Sequence, residues 1–398
     1  MRPYAKGSYV LKLLLLTDNY WPRIGGAETY AWELALGMAA RGHDVTVYTD
    51  GDRHAPALRT SMEHGVRVIR DSSFWPRLEG EGGAWENLVF GRLPELSEIL
   101  REGCFDIIHA NNHDTALLGA LVRLDQNLPL VVTSHEVGRQ DGPLGDARLR
   151  FVMQVLPVDL VLCMSDFYAQ EARRYGAPKV ERVYLGVDTA KFHPVRVAED
   201  SDNVRVVCLA RFKPRKGLDV LVRAAAIVLR ENPRVDFTIA GSTSSASTNY
   251  AQELREMIDR LEVCDSVRIR EDVTLDMVPD LLRSSHIAVQ PSFGEGLGLA
   301  ALEALSTGLP IVASRTTGLT EFIRDAENGL LVAPGDVAGL AAAITRLVTD
   351  QNLRAQLGAE GRRTVTEGFD SETMLKQTEA LYEGLVRDRL PARQAPTP

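Results

Sequence analysis

The sequence predicts an α/β protein made of two doubly wound domains of similar size. Three observations carry this. The chain, at 398 residues, is too long for one comfortable hydrophobic core. Short runs of valine, isoleucine and leucine alternate with longer amphipathic stretches. That alternation breaks once, between Gly186 and Asn203, and then restarts. Continuous apolar strands joined by helices imply parallel sheets covered on both faces.

Taken in order, residues 1–9 read as a short unstructured extension. Segments 11–17, 45–49, 66–70, 107–110, 130–133 and 160–164 follow as buried strands. Helical periodicity covers 28–41, 93–101, 115–124 and 166–175. Polar residues and Pro194 mark the linker. Beyond it, strands are expected at 205–210, 236–240, 267–269, 287–290 and 311–313. Helices are expected at 218–230, 252–261, 277–282, 299–305, 337–349, 353–367 and 371–389, ahead of a loose Pro-rich tail. The domains are read as 1–190 and 200–370, with a last helix over 371–390. Ligands of such sheets bind beyond the strand C-termini, so the cleft between the two sheet edges is the default active site.

Composition narrows the function. Hydrophobic residues make up 45% and charged residues 25%, the balance of a globular protein. No apolar run approaches the roughly 20 residues of a membrane helix, and no signal-peptide pattern opens the chain, so the protein is expected to be cytoplasmic with no integral membrane segment. A net charge of −9, without a Lys/Arg-rich run, argues against nucleic acid and anionic lipid as partners. Cys104, Cys163, Cys208 and Cys264 are too far apart for a compact zinc motif and are expected to be buried thiols.

Three segments carry chemistry. Gly25-Gly26-Ala27-Glu28 opens the first helix, where glycines let backbone amides approach an anion. The same pair suits a tight turn with no ligand, and the residues leave both open. Arg211-Phe212-Lys213-Pro214-Arg215-Lys216-Gly217 sets four cations at a strand C-terminus ahead of a helix, a pattern suited to a diphosphate or to a solvated basic loop. Most specific is Pro291-Ser292-Phe293-Gly294-Glu295-Gly296-Leu297-Gly298, running into a helix with Glu303. Its glycines free amides at a helix N-terminus, and the two carboxylates can grip separated polyols of one ligand. Elsewhere, Asp50-Gly51-Asp52 has the look of a metal clamp but sits in a turn context, so no metal is expected there. His109, His113 and Asp114 follow a strand and are candidates for acceptor contact, as are Glu28 and Asn111, with a structural role open for each. His43 beside Gly42 reads as a helix-to-strand turn.

Together these segments resemble the retaining GT-B glycosyltransferases of glycosyltransferase family 4, over nearly the whole chain. The resemblance also draws on Val131-Val132-Thr133-Ser134-His135-Glu136, Leu185-Gly186-Val187-Asp188 with Phe192 and Pro194, and Asn328-Gly329-Leu330-Leu331-Val332 with Pro334-Gly335-Asp336. It implies two Rossmann-like domains facing a central cleft, with the last helix crossing back to the first domain. By the same resemblance, Arg211 and Lys216 hold the donor diphosphate, and Glu295 with the amides of Gly296, Leu297 and Gly298 holds the donor sugar. Glu303 holds the ribose, Gly26 approaches the distal phosphate, and His135 lines the transfer site. The implied reaction moves a hexose or amino-hexose from a UDP- or GDP-sugar to a hydroxyl of a sugar, glycoside or glycolipid, with no metal or other cofactor.

The chain departs from the family where Ser242-Thr243-Ser244-Ser245 follow Gly241, where Glu271 replaces a usual glycine, and where Thr317-Gly318 replace a Gly-Gly pair ahead of Glu321. The first two segments border the nucleobase in the family, so uridine and guanosine stay open. A nucleotide-sugar-binding protein without transfer activity is the alternative. A dinucleotide-dependent dehydrogenase fits poorly, because Gly25-Gly26 lacks the third glycine and the spaced acidic ribose ligand.

Overall fold

The computed structural model describes residues 10–23, 25–78, 85–124, 126, 128–135, 142–194, 203–241, 248–271 and 273–389. The extension at 1–9, Glu136, Ser242 to Ser245 and the tail after 390 lie outside these. The chain forms two compact units, divided after Tyr184 and again after Thr373. Leu185 to Pro194, the start of the expected linker, belong to the second unit, where the Phe192 carbonyl accepts from Ser306 Oγ at 2.6 Å and Arg362 Nη1 at 2.8 Å.

The first unit is built on an eight-stranded sheet. Its strands are β1 (Lys12–Leu16), β2 (Asp44–Asp50), β3 (Leu58–Glu63), β4 (Val66–Asp71), β5 (Ile107–Ala110), β6 (Leu130–Ser134), β7 (Leu160–Cys163) and β8 (Val180–Arg182). The order is β3-β4-β2-β1-β5-β6-β7-β8, all parallel except β3, which runs antiparallel to β4 at the edge. The central strands are mostly apolar because helices cover both faces, as the buried cluster of Leu14, Leu16, Ile108, Val132 and Val161 records. These helices are α1 (Gly26–Ala40), α2 (Trp85–Gly103), α3 (His113–Val122), α4 (Gly142–Arg150) and α5 (Asp166–Arg174).

The second unit repeats the plan with six parallel strands. They are β9 (Val204–Leu209), β10 (Val235–Ala240), β11 (Val267–Arg270), β12 (Ile287–Gln290), β13 (Ile311–Ser314) and β14 (Leu330–Val332), in the order β11-β10-β9-β12-β13-β14. Its helices are α6 (Leu218–Glu231), α7 (Thr248–Arg260), α8 (Val278–Arg283), α9 (Leu299–Ser306), α10 (Val337–Thr349) and α11 (Gln351–Gly368). In each sheet β1 or β9 lies at the centre, so the loops after those strands sit where the strand order reverses.

The last helix, α12 (Ser371–Arg389), joins the first unit from Met374 onward. Its Leu375 packs where a side chain on Gly37 of α1 would stand, and Glu379 bonds His43 Nε2 at 2.8 Å. Tyr382 hydrogen-bonds the fully buried His109, whose other nitrogen meets Thr133 Oγ1 at 2.6 Å. His109 is therefore structural and out of reach of an acceptor. Burial, reinforced by His135, pushes its imidazole down to about 3, so it stays neutral. Tyr382→Phe is expected to cost about 1–2 kcal/mol in urea unfolding, because it leaves one buried imidazole nitrogen unpaired.

Two other expectations are corrected. Cys163 and Cys208 are buried, but Cys104 and Cys264 are exposed, since they lie in the turns after α2 and α7 rather than on strands. Between the strands expected at 130–133 and 160–164, where no helix is expected, α4 begins at Gly142 and passes into one π-helical turn, Phe151–Val155. Among the described residues, no helix is long and apolar enough to cross a membrane.

Candidate active site

In the second unit the loops after neighbouring strands β9 and β12 are knit together. Residues 214–216 form one 3₁₀ turn, ended by Gly217 at φ 64°. A side chain there would run into the Pro291 carbonyl, so glycine is needed for both conformation and contact. Phe293 N–H donates to the Arg215 carbonyl at 2.9 Å, and Arg215 Nη1 donates to the Gly294 carbonyl at 2.7 Å.

This knitting brings Lys216 onto Glu295. Lys216 Nζ donates to Glu295 Oε1 at 2.6 Å, and Ser292 Oγ and Gln290 Nε2 donate to the same oxygen at 2.7 and 2.9 Å. Among the described residues, the second oxygen has only Arg215, at 4.0 Å. Glu295 is 8% exposed. Burial opposes its ionisation, but Lys216, helped by Ser292 and Arg215, overrides that and holds the carboxyl below its usual range. Arg211, half-buried at the end of β9, has no hydrogen-bonded or ion-pair partner for its side chain among the described residues.

Helix α9 begins at Gly298, at φ 108°, with no side-chain cap. Among the described residues, the amides of Gly296, Leu297 and Gly298 donate to no acceptor. Free amides at a helix start suit an anion or hydroxyls. One turn on, Glu303 is 9% exposed, and its carboxyl has no hydrogen-bond partner among the described residues. Burial, only partly offset by Lys191, raises its carboxyl to about 8. A lone buried carboxyl is costly, and ligand hydroxyls would satisfy it.

In the first unit, the glycine pair starts α1. A side chain on Gly25 would collide with the carboxylate of Glu28, while one on Gly26 would meet open space. Glu28 thus folds back over the helix start. Asn111, an acceptor candidate, is 1% exposed and enclosed: Nδ2 donates to the Ala27 carbonyl at 3.1 Å and to Thr17 Oγ1 at 3.2 Å. Its Oδ1 meets His135 Nε2 at 3.0 Å, so it supports His135 instead of facing an acceptor. His113, at the first position of α3, meets Ser134 Oγ at 3.2 Å. Burial pushes His113 down to about 4 and His135 to about 3, so both are neutral imidazoles.

Sequence reasoning missed Gln290, Ser292 and Arg215 as supports of Glu295, although all stand in or beside the motif. It also missed the buried Arg92, which bridges Asp18 at 2.8 Å and Asp50 at 2.7 Å, with Asn112 donating to Asp18 at 2.6 Å. Asp50 is raised to about 7, by burial first and against the pull of Arg92. The 2.7 Å contact with Arg92 nevertheless makes Asp50 an ion-pair partner at the end of β2.

Comparison with known proteins agrees with this geometry. The family model described as Glycosyl transferases group 1 matches residues 190–364, and that of Glycosyltransferase Family 4 matches 24–191. A D-inositol 3-phosphate glycosyltransferase of Kribbella flavida is 31% identical over 389 residues, covering 90% of each chain. The enzyme of the same name from Acidothermus cellulolyticus is 31% identical over 362 residues, covering 84% of this chain and 80% of its own. Among solved structures, sucrose-phosphate synthase from Thermosynechococcus elongatus superposes with a TM-score of 0.81 at 23% identity, covering 95% of this chain and all of its own. Anabaena Alr3699/HepE in complex with UDP and glucose gives 0.76 at 22%, over 94% of this chain and all of its own. On these matches and the two parallel-sheet units, the chain belongs to glycosyltransferase family 4 and is a GT-B glycosyltransferase.

Proposed function

We propose that the enzyme moves a hexose or amino-hexose from a UDP- or GDP-sugar to a hydroxyl acceptor, with retention at the anomeric carbon and without a metal ion. The observation that carries this reading is the Lys216–Glu295 pair beside Arg211 and the free amides before α9. Cations that neutralise the departing diphosphate do from side chains what a divalent ion would otherwise do. The acceptor oxygen bonds to the anomeric carbon as that carbon's bond to phosphate breaks, and the acceptor's proton passes to the leaving phosphate oxygen. Arg211 and Lys216 stabilise the charge that develops there, Glu303 accepts ribose hydroxyls, and His135 lines the sugar.

The relatives named D-inositol 3-phosphate glycosyltransferase make that polyol phosphate the first acceptor to assay. UDP- and GDP-sugars are to be incubated with it in EDTA and the products analysed by proton NMR. A product with the donor's anomeric configuration is expected. An inverted product, or activity only with added divalent metal, contradicts the mechanism. Nucleotide binding without any transfer over a broad acceptor panel favours a binding protein instead. His135→Ala is expected to lower kcat by about 10²-fold, the scale of one lost polar contact to a transition state, while leaving UDP affinity within twofold. Unchanged kcat removes His135 from the reaction.

A further inference from the structure

The hydrogen-bond pattern around Asn111 fixes more than a position. The Ala27 carbonyl can only accept, so the Asn111 atom 3.1 Å away is the amide nitrogen. Thr17 Oγ1 spends its own proton on the Asn19 carbonyl at 2.8 Å, so it accepts the second Asn111 N–H. With both N–H groups committed, only the carbonyl oxygen Oδ1 is left to face His135 Nε2 at 3.0 Å. Two acceptors at that distance would repel, so Nε2 must carry the proton.

We infer that Asn111 is a positioning residue that locks His135 as the Nε2–H tautomer, leaving Nδ1 a bare hydrogen-bond acceptor for a hydroxyl of the sugar or polyol substrate. The inference rests on the reading of His135 as a transfer-site residue. Nδ1 has no partner among the described residues. Tyr30 packs edge-on against the imidazole, with ring centroids 5.2 Å apart, which holds the ring plane. Enclosure and the neighbouring His113 keep the ring neutral, so Nδ1 is not filled by a second proton near neutral pH. The lock also runs to the glycine loop, because Ala27 lies in the first turn of α1 beside Gly26. A shift of that helix start would release the Asn111 amide and, through it, the tautomer.

The consequence is directional. A bare Nδ1 accepts a hydroxyl proton in a hydrogen bond and orients that hydroxyl's lone pairs away from the ring. The opposite tautomer would donate to the hydroxyl and reverse this.

The test is nitrogen NMR on the full chain labelled with ring ¹⁵N-histidine. The protein has eight histidines, and the His135 signals are assigned by their loss in His135→Gln. At pH 7 a protonated Nε2 and an unprotonated Nδ1 are expected. In Asn111→Ala the pattern should relax towards the ordinary tautomer mixture. With UDP-sugar and D-inositol 3-phosphate, kcat should then fall 10- to 100-fold while UDP affinity stays within twofold. A protonated Nδ1 in the unmodified protein overturns the lock, and that spectrum decides even if Asn111→Ala does not fold. An Asn111→Ala protein with the same tautomer and unchanged kcat overturns it as well. A confirmed tautomer with full turnover in His135→Ala overturns the transfer-site role alone, which separates the two failures.

Discussion

Lys216→Ala is expected to lower turnover by about 10²- to 10³-fold and to destabilise the second unit at neutral pH by about 3 kcal/mol. The two effects have one origin. Lys216 is the charge partner of a carboxylate that is 8% exposed, and its removal strands that charge. In the unmodified protein the Glu295 carboxyl sits below its usual range. Its pairing therefore contributes stability above the ordinary carboxylate range, and that stability is lost as pH falls through the depressed value. Without Lys216, burial acts unopposed and raises the same carboxyl, so the variant regains stability as the solution becomes acid. Thermal melts of the two proteins should converge towards pH 5 and separate towards pH 8. Adding Glu295→Gln removes the stranded charge and should restore most of the stability without restoring turnover. A Lys216→Ala protein as stable and as active as its parent would mean that the pair is a surface ornament.

Glu303→Gln is expected to move stability and function in opposite directions. The carboxyl lies at about 8 in the folded protein, far above its ordinary value, because burial disfavours its charge. The folded state binds the extra proton between those values, so this group costs stability as pH rises from the ordinary range through 8. An uncharged glutamine escapes that cost, and the variant should exceed its parent at pH 8 by on the order of 2 kcal/mol, with the gain vanishing in acid. If Glu303 holds the ribose as proposed, donor binding should weaken at least tenfold. On the proposed ribose contact, nucleoside diphosphate binding to the parent should tighten as pH rises towards 8 and release a proton, measurable by calorimetry in buffers of different ionisation enthalpy. A Gln variant that binds UDP as tightly as its parent separates Glu303 from the ribose.

The alternating plan was legible because parallel strands buried on both faces must be apolar throughout. Ile107–Ala110, Ile287–Gln290, Val337–Thr349 and Ser371–Arg389 fall on the residues read from sequence. The elements missed lack that signature. Strand β3, Leu-Arg-Thr-Ser-Met-Glu, is an exposed antiparallel edge with no buried face, and β8 is only Val-Glu-Arg. Helix α4 opens on Gly142 and Pro143, which read as loop, and α2 begins at Trp85, ahead of the helix expected over 93–101. At the site, Lys216 and Glu295 could be named because each closes a strand-to-helix loop, and loops after adjacent parallel strands meet. The Asp18–Arg92–Asp50 bridge could not, since its members are dispersed along the chain and only strand order unites them. Asn111 was placed at the right strand end, but its burial is a property of packing.

The central claim is that a nucleoside diphosphate binds the second unit on Arg211, Lys216 and Glu303 with no metal. The most direct measurement is a thermal-shift titration of the full chain with UDP, GDP and their sugars in EDTA, run beside Lys216→Ala. The account predicts a selective shift with one base, equivalent to about 2.7 kcal/mol at 100 times the dissociation constant, that is strongly reduced in the variant. No shift with any nucleotide, or one of equal size in both proteins, would contradict it.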